Sequence, residues 1–124
     1  MVKRKKYKVL LSKDALTDIR ETKRYILETF KYRGYAENFS KKIKEAIQQL
    51  DTFPTSYEKT GYAIEDLDIY CKTYNTYLIF FVIENSIVYV IRVLKDRVYW
   101  QSVIGKMIKL ICKVVDNCLP VFYT

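Results

Sequence analysis

The stretch YLIFFVIENSIVYVIRVLK, residues 77–95, decides the fold of this 124-residue chain. Its first half, Tyr77 to Glu84, is apolar at both alternating sets of positions, which is typical of a strand buried on both faces. Asn85 and Ser86 favour a tight turn, after which β-branched and aromatic residues resume. The stretch therefore predicts a central β-hairpin whose sheet has apolar side chains on both faces.

The segments just before this hairpin predict a further strand and a loop. In residues 67–74, LDIYCKTY, the apolar Leu67, Ile69 and Cys71 alternate with other side chains, as in a half-exposed strand. We expect residues 54–66 to form a partly acidic loop. Its carboxylates are interpreted as a solvated edge rather than as a metal or hydrolase site.

Two amphipathic helices precede these strands. KYKVLLS, residues 6–12, predicts a first strand, and Ser12 is a good N-cap for a helix over residues 13–31. Gly34 is the expected C-terminal stop of that helix. A second helical stripe ends at the Phe53–Pro54 pair and consists of Ala36, Phe39, Ile43, Ala46, Ile47 and Leu50. The two helices should form a hairpin that packs on one face of the sheet.

The tail returns to helical spacing, with an apolar stripe of Ile104, Met107, Ile108, Ile111, Val114 and Val115. Because the helical hairpin can cover only one face of the sheet, we expect this tail to fold over the other. The predicted fold is α+β: a small twisted antiparallel sheet with an N-terminal helical hairpin on one face, in the order β-α-α-β-β-β, plus a C-terminal helix. Residues 1–104 would form the main domain and residues 105–124 its helical extension.

The amino-acid composition limits which partners, cofactors and catalytic groups can be expected. Lys and Arg number 22 against 14 Asp and Glu, and the net charge of +8 favours anionic partners. The chain has no histidine, which removes the commonest general base and metal ligand, so neither a metal nor a cofactor is expected. Three isolated glycines exclude a Gly-rich phosphate loop. The odd count of three cysteines predicts reduced thiols.

Cations and aromatic residues crowd together at the end of the hairpin. Arg92, Lys95, Arg97, Tyr99 and Trp100 follow the apolar part of the last strand. One interpretation is an exposed strand end with solvated charges; the other is a site for a polyanion, with rings that stack on bases. Trp100 also has a structural interpretation, as an apolar plug that closes the core.

The chain resembles the RelE/ParE superfamily of toxins from bacterial type II toxin–antitoxin systems. The resemblance lies in SKDALTDIRETKRYI on the first helix, in AENFSKKIKEAIQQLDTFP on the second, and in YLIFFVIENSIVYVIRVLKDRVYW at the terminal hairpin. It implies a small, basic, cytoplasmic toxin that a cognate antitoxin inhibits. Some members of the superfamily cut mRNA inside the ribosome, and others poison DNA gyrase. An antitoxin helix is the alternative cover for the second face of the sheet.

A metal-independent nuclease needs cations on the scissile phosphate and an acid and a base around the 2′-hydroxyl. The resemblance implies catalytic roles for Arg92, Lys95, Arg97 and Tyr99. Lys72 and Tyr77 stand at matching places and are predicted to bind RNA. Trp100 is predicted to bind RNA by stacking on bases, and Lys106 and Lys109 by extending the basic surface from the tail, which departs from the superfamily pattern. The sequence departs from the nuclease pattern, because Tyr77 stands where nuclease members often have arginine and Lys95 where they often have histidine or arginine.

Three functions therefore stay open. Ribosome-dependent mRNA cleavage is the leading expectation, inhibition of DNA gyrase is the second, and a non-catalytic basic module or inactive toxin homologue is the third. A membrane-surface role for the basic tail is a further alternative. No apolar run of about 18 residues occurs, so no transmembrane helix is expected. The three leading functions involve no membrane partner.

Overall fold

The structure, a computed structural model, describes residues 6–95, 99–108 and 118–120. Its elements, in chain order, are β1 (Lys8–Ser12), α1 (Lys13–Phe30), α2 (Arg33–Gln48), β2 (Glu58–Ile64), β3 (Leu67–Tyr74), β4 (Tyr77–Glu84), β5 (Ile87–Lys95), α3 (Trp100–Ile108) and β6 (Cys118–Pro120). Short 3₁₀ turns, Gln49–Asp51 and Pro54–Ser56, connect α2 to β2.

The sheet has the strand order β2-β3-β4-β5-β1-β6. Its pairs are antiparallel except for β1 and β5, which run parallel, so the sheet is mixed. The α1–α2 connection is what makes the parallel pair possible, since a parallel neighbour requires a crossover rather than a tight turn. The predicted α+β class, with a helical hairpin after the first strand and a C-terminal helix, is confirmed. The prediction of a wholly antiparallel sheet is wrong because β1 pairs with β5 in parallel, and Cys118–Pro120 form a strand on β1 rather than part of the predicted helical extension.

Residues 54–66 are not the loop expected from their acidic composition. Residues 58–64 form β2, which pairs antiparallel with β3 through Glu58–Cys71 and Ile64–Leu67, with an irregular register between Lys59 and Ala63. The sequence conceals this strand because it lies at the sheet edge, where one side of the backbone and much of the side-chain surface face water.

The start of α1 agrees with the prediction, and its end does not. Ser12 caps the helix, with its Oγ accepting from the backbone N–H of Ala15 over 3.0 Å and donating to the carbonyl of Ile91 over 2.9 Å. The stop is Lys31, in the left-handed conformation with φ 53°, rather than Gly34. Gly34 instead lies in the first turn of α2, where a Cβ would come within 2.6 Å of the Tyr32 ring.

The helical hairpin covers one face of the sheet. Its buried side chains pack on alternate residues of the central strands, and from β4 these are Tyr77, Ile79 and Phe81. The helical contribution is the predicted stripe, of which Ala36, Phe39, Ile43, Ala46, Ile47 and Leu50 are all buried. Both patterns follow from the two periodicities, 3.6 along a helix and 2 along a strand.

The second face is also closed, and α3 contributes to its closure. Phe80, Val82 and Ile91 point to this side and form a separate buried cluster with Ile104. The ring of Trp100 packs 5.2 Å from that of Phe80. The expectation that the start of the tail folds over the second face is confirmed for Trp100 and Ile104, whereas the side chains of the predicted stripe from Met107 onward lie outside those that the structure describes.

Candidate functional site at the end of strand 5

A β-bulge positions the candidate site where β5 meets α1. Neighbouring residues of β4 pair with Val90 and with Arg92, so Ile91 is an extra residue in β5. A bulge resets the alternation of side chains along its strand. As a result, Val93 and Lys95 lie on the helix-covered face together with Val88 and Val90, although strict alternation would turn them to the other face. Arg92, next to the extra residue, reaches Asp18 of α1, and Lys95 reaches Tyr25 of the same helix.

Arg92 is held in a bidentate ion pair with Asp18 of α1. Its Nε and Nη2 donate to the two carboxylate oxygens over 2.7 and 2.8 Å, and the backbone N–H of Val93 donates to the same carboxylate over 3.0 Å. The side chains of Arg92 and Asp18 are 23% and 11% exposed. One of the two planar edges by which a guanidinium can grip a phosphate, the Nε–Nη2 edge, is therefore already occupied, and its charge is matched by Asp18.

The pair is charged and partly desolvated. Burial raises the pKa of Asp18 above its usual value, while the hydrogen bonds from Arg92 and Val93 act against that rise. The hydrogen bond to Asp18 raises the pKa of Arg92, so the guanidinium keeps its charge. The ion pair consequently fastens the end of β5 to α1.

Asp18 is the site residue that sequence reasoning missed. A signal for it exists, because Asp18 directly precedes the buried Ile19 and so stands at the border of the apolar stripe of α1. A carboxylate at such a border is desolvated by neighbouring apolar side chains and needs a cation. Its partner could not be identified from sequence, since Arg92 is 74 residues away.

Lys95 is the accessible cation of this site. It is exposed, and its Nζ lies 5.5 Å from the centre of the Tyr25 ring, within the range of a cation–π interaction. Lys95, Arg92, Asp18 and Glu21 line an open groove of about 500 Å³, here called the Asp18 groove. Two carboxylates in this groove offset the two cations.

A second groove adjoins the first and shares Tyr25 and Lys95 with it. This tyrosine groove, of about 360 Å³, lies between the hairpin turn of the helices and the β3–β4 turn, and it also includes Phe30, Tyr35, Lys42 and Tyr77. Tyr77 is buried against the Phe39 ring at 5.0 Å, and burial raises its pKa. Tyr77 thus forms the floor of the groove.

Lys72, predicted to bind RNA, points into the protein. It is 7% exposed, and its Nζ donates to the carbonyl of Ala46 over 2.7 Å and to Oε1 of Gln49 over 3.0 Å. The Tyr57 ring lies 5.4 Å away, and burial lowers the pKa of the ammonium group. The last turn of α2 has no basic residue of its own, so Lys72 supplies the C-terminal cation that a helix dipole favours.

The two aromatic residues after β5 occupy different environments. Tyr99 is 74% exposed. Trp100 begins α3 and packs edge-on against Tyr62, with ring centres 5.9 Å apart, as well as on Phe80. Trp100 therefore packs against the apolar cluster of the second face, as its structural interpretation expected. Its RNA-binding role stays a prediction.

Three predicted site residues cannot be placed. Arg97 and Lys109 lie outside the described residues, and Lys106 belongs to α3 but its side chain is not described. Of the nine predicted positions, Lys95 and Tyr99 are therefore the ones that the described structure presents to solvent. Their roles in catalysis remain untested.

Other chemistries have little support among the described residues. No cluster of acidic residues and cysteines there could hold a metal ion. Asp68 of β3 instead pairs with Lys59 of β2 at 3.2 Å. Cys71 is a free thiol, as expected, and burial raises its pKa to about 11, which makes a reactive thiolate unfavourable. No described helix has the length and apolar character needed to cross a bilayer.

Comparison with protein families returned one match that covers most of the chain. Residues 9–99 fit the family described as the ParE toxin of the type II toxin–antitoxin system, parDE. The matched region begins in β1 and ends just before α3, so it includes the helical hairpin and the Asp18 groove. No curated protein matches the sequence.

Proposed function

The chain belongs to the ParE toxin family of type II toxin–antitoxin systems, and we propose that it arrests growth by binding and inhibiting DNA gyrase. A cognate antitoxin partner follows from the same membership. Family membership leaves open whether the toxin acts on a protein or on RNA. Placing gyrase first reverses the order of the two leading expectations from sequence.

The observation that carries the proposal is the commitment of Arg92 to Asp18. Phosphoryl chemistry at RNA needs cations free to stabilise charge on the phosphate. Arg92 has its Nε–Nη2 edge occupied at 2.7 and 2.8 Å and its charge matched by Asp18, and Lys72 is turned towards Ala46. The two cations predicted to serve RNA from β3 and β5 therefore have partners within the fold, which favours a protein target, and their predicted roles stay predictions.

The remaining exposed groups suit recognition better than acid–base chemistry. Lys95 and Tyr99 are accessible. Neither comes with a described carboxylate or second lysine in hydrogen-bond contact that would prepare it for proton transfer. Exposed aromatic rings such as that of Tyr99 are, in contrast, enriched at protein-binding surfaces.

The test uses purified toxin with purified gyrase and relaxed plasmid. Inhibition of supercoiling at toxin concentrations near those of the enzyme is the expected result, with translation and transcript length unchanged in a parallel ribosome assay. Cut transcripts together with normal supercoiling would contradict the proposal.

Ribosome-dependent mRNA cleavage is the second candidate, and the exposure of Lys95 and Tyr99 favours it. Both were predicted as catalytic residues, together with Arg97. Under this alternative, Tyr99→Phe would remove a hydroxyl acid or base and lower the cleavage rate by roughly a hundredfold. Full cleavage by Tyr99→Phe would exclude the hydroxyl from the chemistry.

Expression in cells separates these candidates from the third, an inactive or purely binding homologue. Growth arrest with induction of the DNA-damage response supports gyrase inhibition, and growth arrest with cleaved transcripts supports a nuclease. Normal growth in the presence of folded, soluble protein supports an inactive homologue. We place the activity in the cytoplasm, where both candidate targets are found.

A further inference from the structure

We propose that the tyrosine groove receives an acidic segment of the target protein and seats one of its apolar or aromatic side chains. This inference rests on the proposed function, because it identifies the surface by which the toxin holds a protein target. The occupant is defined by its chemistry: carboxylates that flank an apolar anchor.

The first argument is the concentration of exposed rings at the turn of the helical hairpin. Five of the seven large apolar side chains that the described residues expose lie in this short segment: Tyr25, Leu27, Phe30, Tyr32 and Tyr35. Of these, Tyr25, Phe30 and Tyr35 line the groove itself. The rings of Phe30 and Tyr35 are 57% and 56% exposed. Contiguous exposed apolar surface of this kind marks an interaction site, whereas single exposed residues are ordinary.

The second argument is that neighbouring rings hold the patch in place. The ring centres of Phe30 and Tyr35 are 5.6 Å apart at 84°, and those of Tyr32 and Tyr35 are 4.9 Å apart at 78°. Edge-to-face rings stabilise one another and lose little rotamer freedom on binding. The surface is thus formed before the partner arrives, which lowers the entropic cost of association.

The third argument is the charge of the groove. Lys42 and Lys95 line it, and none of its described lining residues carries a carboxylate. Glu45 lies 3.9 Å from the Lys42 Nζ, but both side chains are about half exposed, so this contact offsets little of the charge. Lys95 projects over Tyr25 at one side of the groove, so the cation and a ring face the same space. A partner segment that is acidic gains from complementary charge, in its rate of encounter above all.

Two features favour a protein segment over a nucleic acid strand. The edge-to-face rings cover parts of one another's faces, whereas base stacking requires open and roughly parallel ring faces. A strand that continued past Tyr25 and Lys95 would enter the Asp18 groove and meet the carboxylates of Asp18 and Glu21. Phosphates along that path would be repelled.

The test measures binding of the full chain to labelled probes by fluorescence anisotropy. The main probe is a short peptide in which glutamates flank a pair of phenylalanines, and its control has serine in place of phenylalanine. A single-stranded oligouridine of similar charge is the nucleic acid probe. Unmutated protein should bind the phenylalanine peptide more tightly than either other probe.

Variants then localise the binding. The double variant Phe30→Ala with Tyr35→Ala should weaken peptide binding about tenfold, which corresponds to the loss of an interface anchor, and Lys42→Glu should weaken it severalfold. Lys41→Glu is the matched control: it makes the same charge change on the same helix but faces a different cavity, and its binding should stay within twofold of the unmutated protein. Because Phe30 and Tyr35 are exposed, thermal unfolding should shift little in the double variant.

Several outcomes overturn the inference. Equal binding by the double variant and the unmutated protein would exclude the groove as the binding surface. Tighter binding of oligouridine, lost in the same variants, would assign the groove to nucleic acid. Equal loss in Lys41→Glu and Lys42→Glu would show general charge attraction without a site.

A gyrase assay with the same variants separates this inference from the proposed function. If the unmutated chain inhibits gyrase and the double variant does so equally, the groove is wrong and the proposed target stands. If the unmutated chain does not inhibit gyrase but binds the peptide through Phe30 and Tyr35, the proposed target is wrong and the groove stands.

Discussion

Lys72 and Lys95 lie on the same side of the sheet, but their burial and their hydrogen-bond partners differ. Lys72 of β3 pairs with Ile79 of β4. Lys95 of β5 pairs with Tyr77, which lies two residues before Ile79 on the same face of β4. The C-terminal end of α2 lies close to Lys72, and the carbonyl of Ala46 and the side-chain oxygen of Gln49 accept hydrogen bonds from the Lys72 Nζ. No described carboxylate forms an ion pair with Lys95 within 4.0 Å, and it stays exposed beside Tyr25.

The difference shows that position in a strand does not make a cation part of a binding site. A buried cation with acceptors around it stabilises the fold, and an exposed one without them is available to a ligand. Arg92 is on the structural side of this division because Asp18 neutralises it. Substitutions of Asp18, Lys72 and Lys95 test this division, in order from the largest expected change in stability to the smallest.

Asp18→Ala should have the largest effect on the free energy of unfolding. It leaves the Arg92 guanidinium and the Val93 N–H without their acceptor, and the expected loss is about 2–3 kcal/mol, since one member of a mostly desolvated pair remains. Asp14→Ala, at an exposed acid in the first turn of the same helix, should cost about 0.5 kcal/mol. Urea unfolding measures both, and equal losses would show that the ion pair does not stabilise the fold.

Lys72→Met should lower the free energy of unfolding by about 1–2 kcal/mol at neutral pH. The methionine keeps the apolar volume but leaves the Ala46 carbonyl and the Gln49 amide oxygen without a donor at the C-terminal end of α2. Unfolding in urea is the measurement. A variant more stable than the unmutated chain would indicate that the burial cost of the charge exceeds the gain from capping.

The dependence on pH should follow from the lowered pKa of Lys72. Burial lowers this pKa in the folded state below its usual 10.5, so the unfolded chain binds more protons between those two values. The stability of the unmutated chain relative to Lys72→Met should therefore rise as the pH increases through the lowered pKa towards 10.5. A constant difference from pH 7 to 10.5 would show that Lys72 is not desolvated.

Lys95→Met should have the smallest effect on stability and a large effect on toxicity. Loss of an exposed cation above one ring should change the free energy of unfolding by less than about 0.5 kcal/mol. Growth arrest should nevertheless weaken, because both the proposed target surface and the alternative nuclease site include Lys95. Unchanged toxicity with normal expression would remove Lys95 from both sites.

The helical hairpin and the central strands could be predicted from residue patterns. The capping role of Ser12, the buried stripe of α2 and the two apolar faces of β4 are local properties of spacing, and each is confirmed. β2 was missed because an edge strand carries a weak apolar signal, and the helix stop at Lys31 was missed because glycine is the commoner left-handed residue.

The location of the candidate site could be predicted from the sequence, but which of its cations are exposed could not. The sequence placed a cation–aromatic cluster at the end of β5, and Lys95 and Tyr99 are exposed there. It could not separate them from Arg92 and Lys72, because the acceptors that bind these two side chains come from α1 and α2. The tyrosine groove likewise depends on how the helical turn approaches the β3–β4 turn.

The sequence by itself determined the fold class, the positive charge and the two-sided core, since these depend on composition and on periods of 2 and 3.6 residues. The tertiary structure alone decided which cations remain available. The bulge at Ile91 turns Lys95 towards the helices, and Asp18 meets Arg92 across 74 residues of sequence. Both depend on long-range packing, which brings a desolvated charge to its partner irrespective of their separation along the chain.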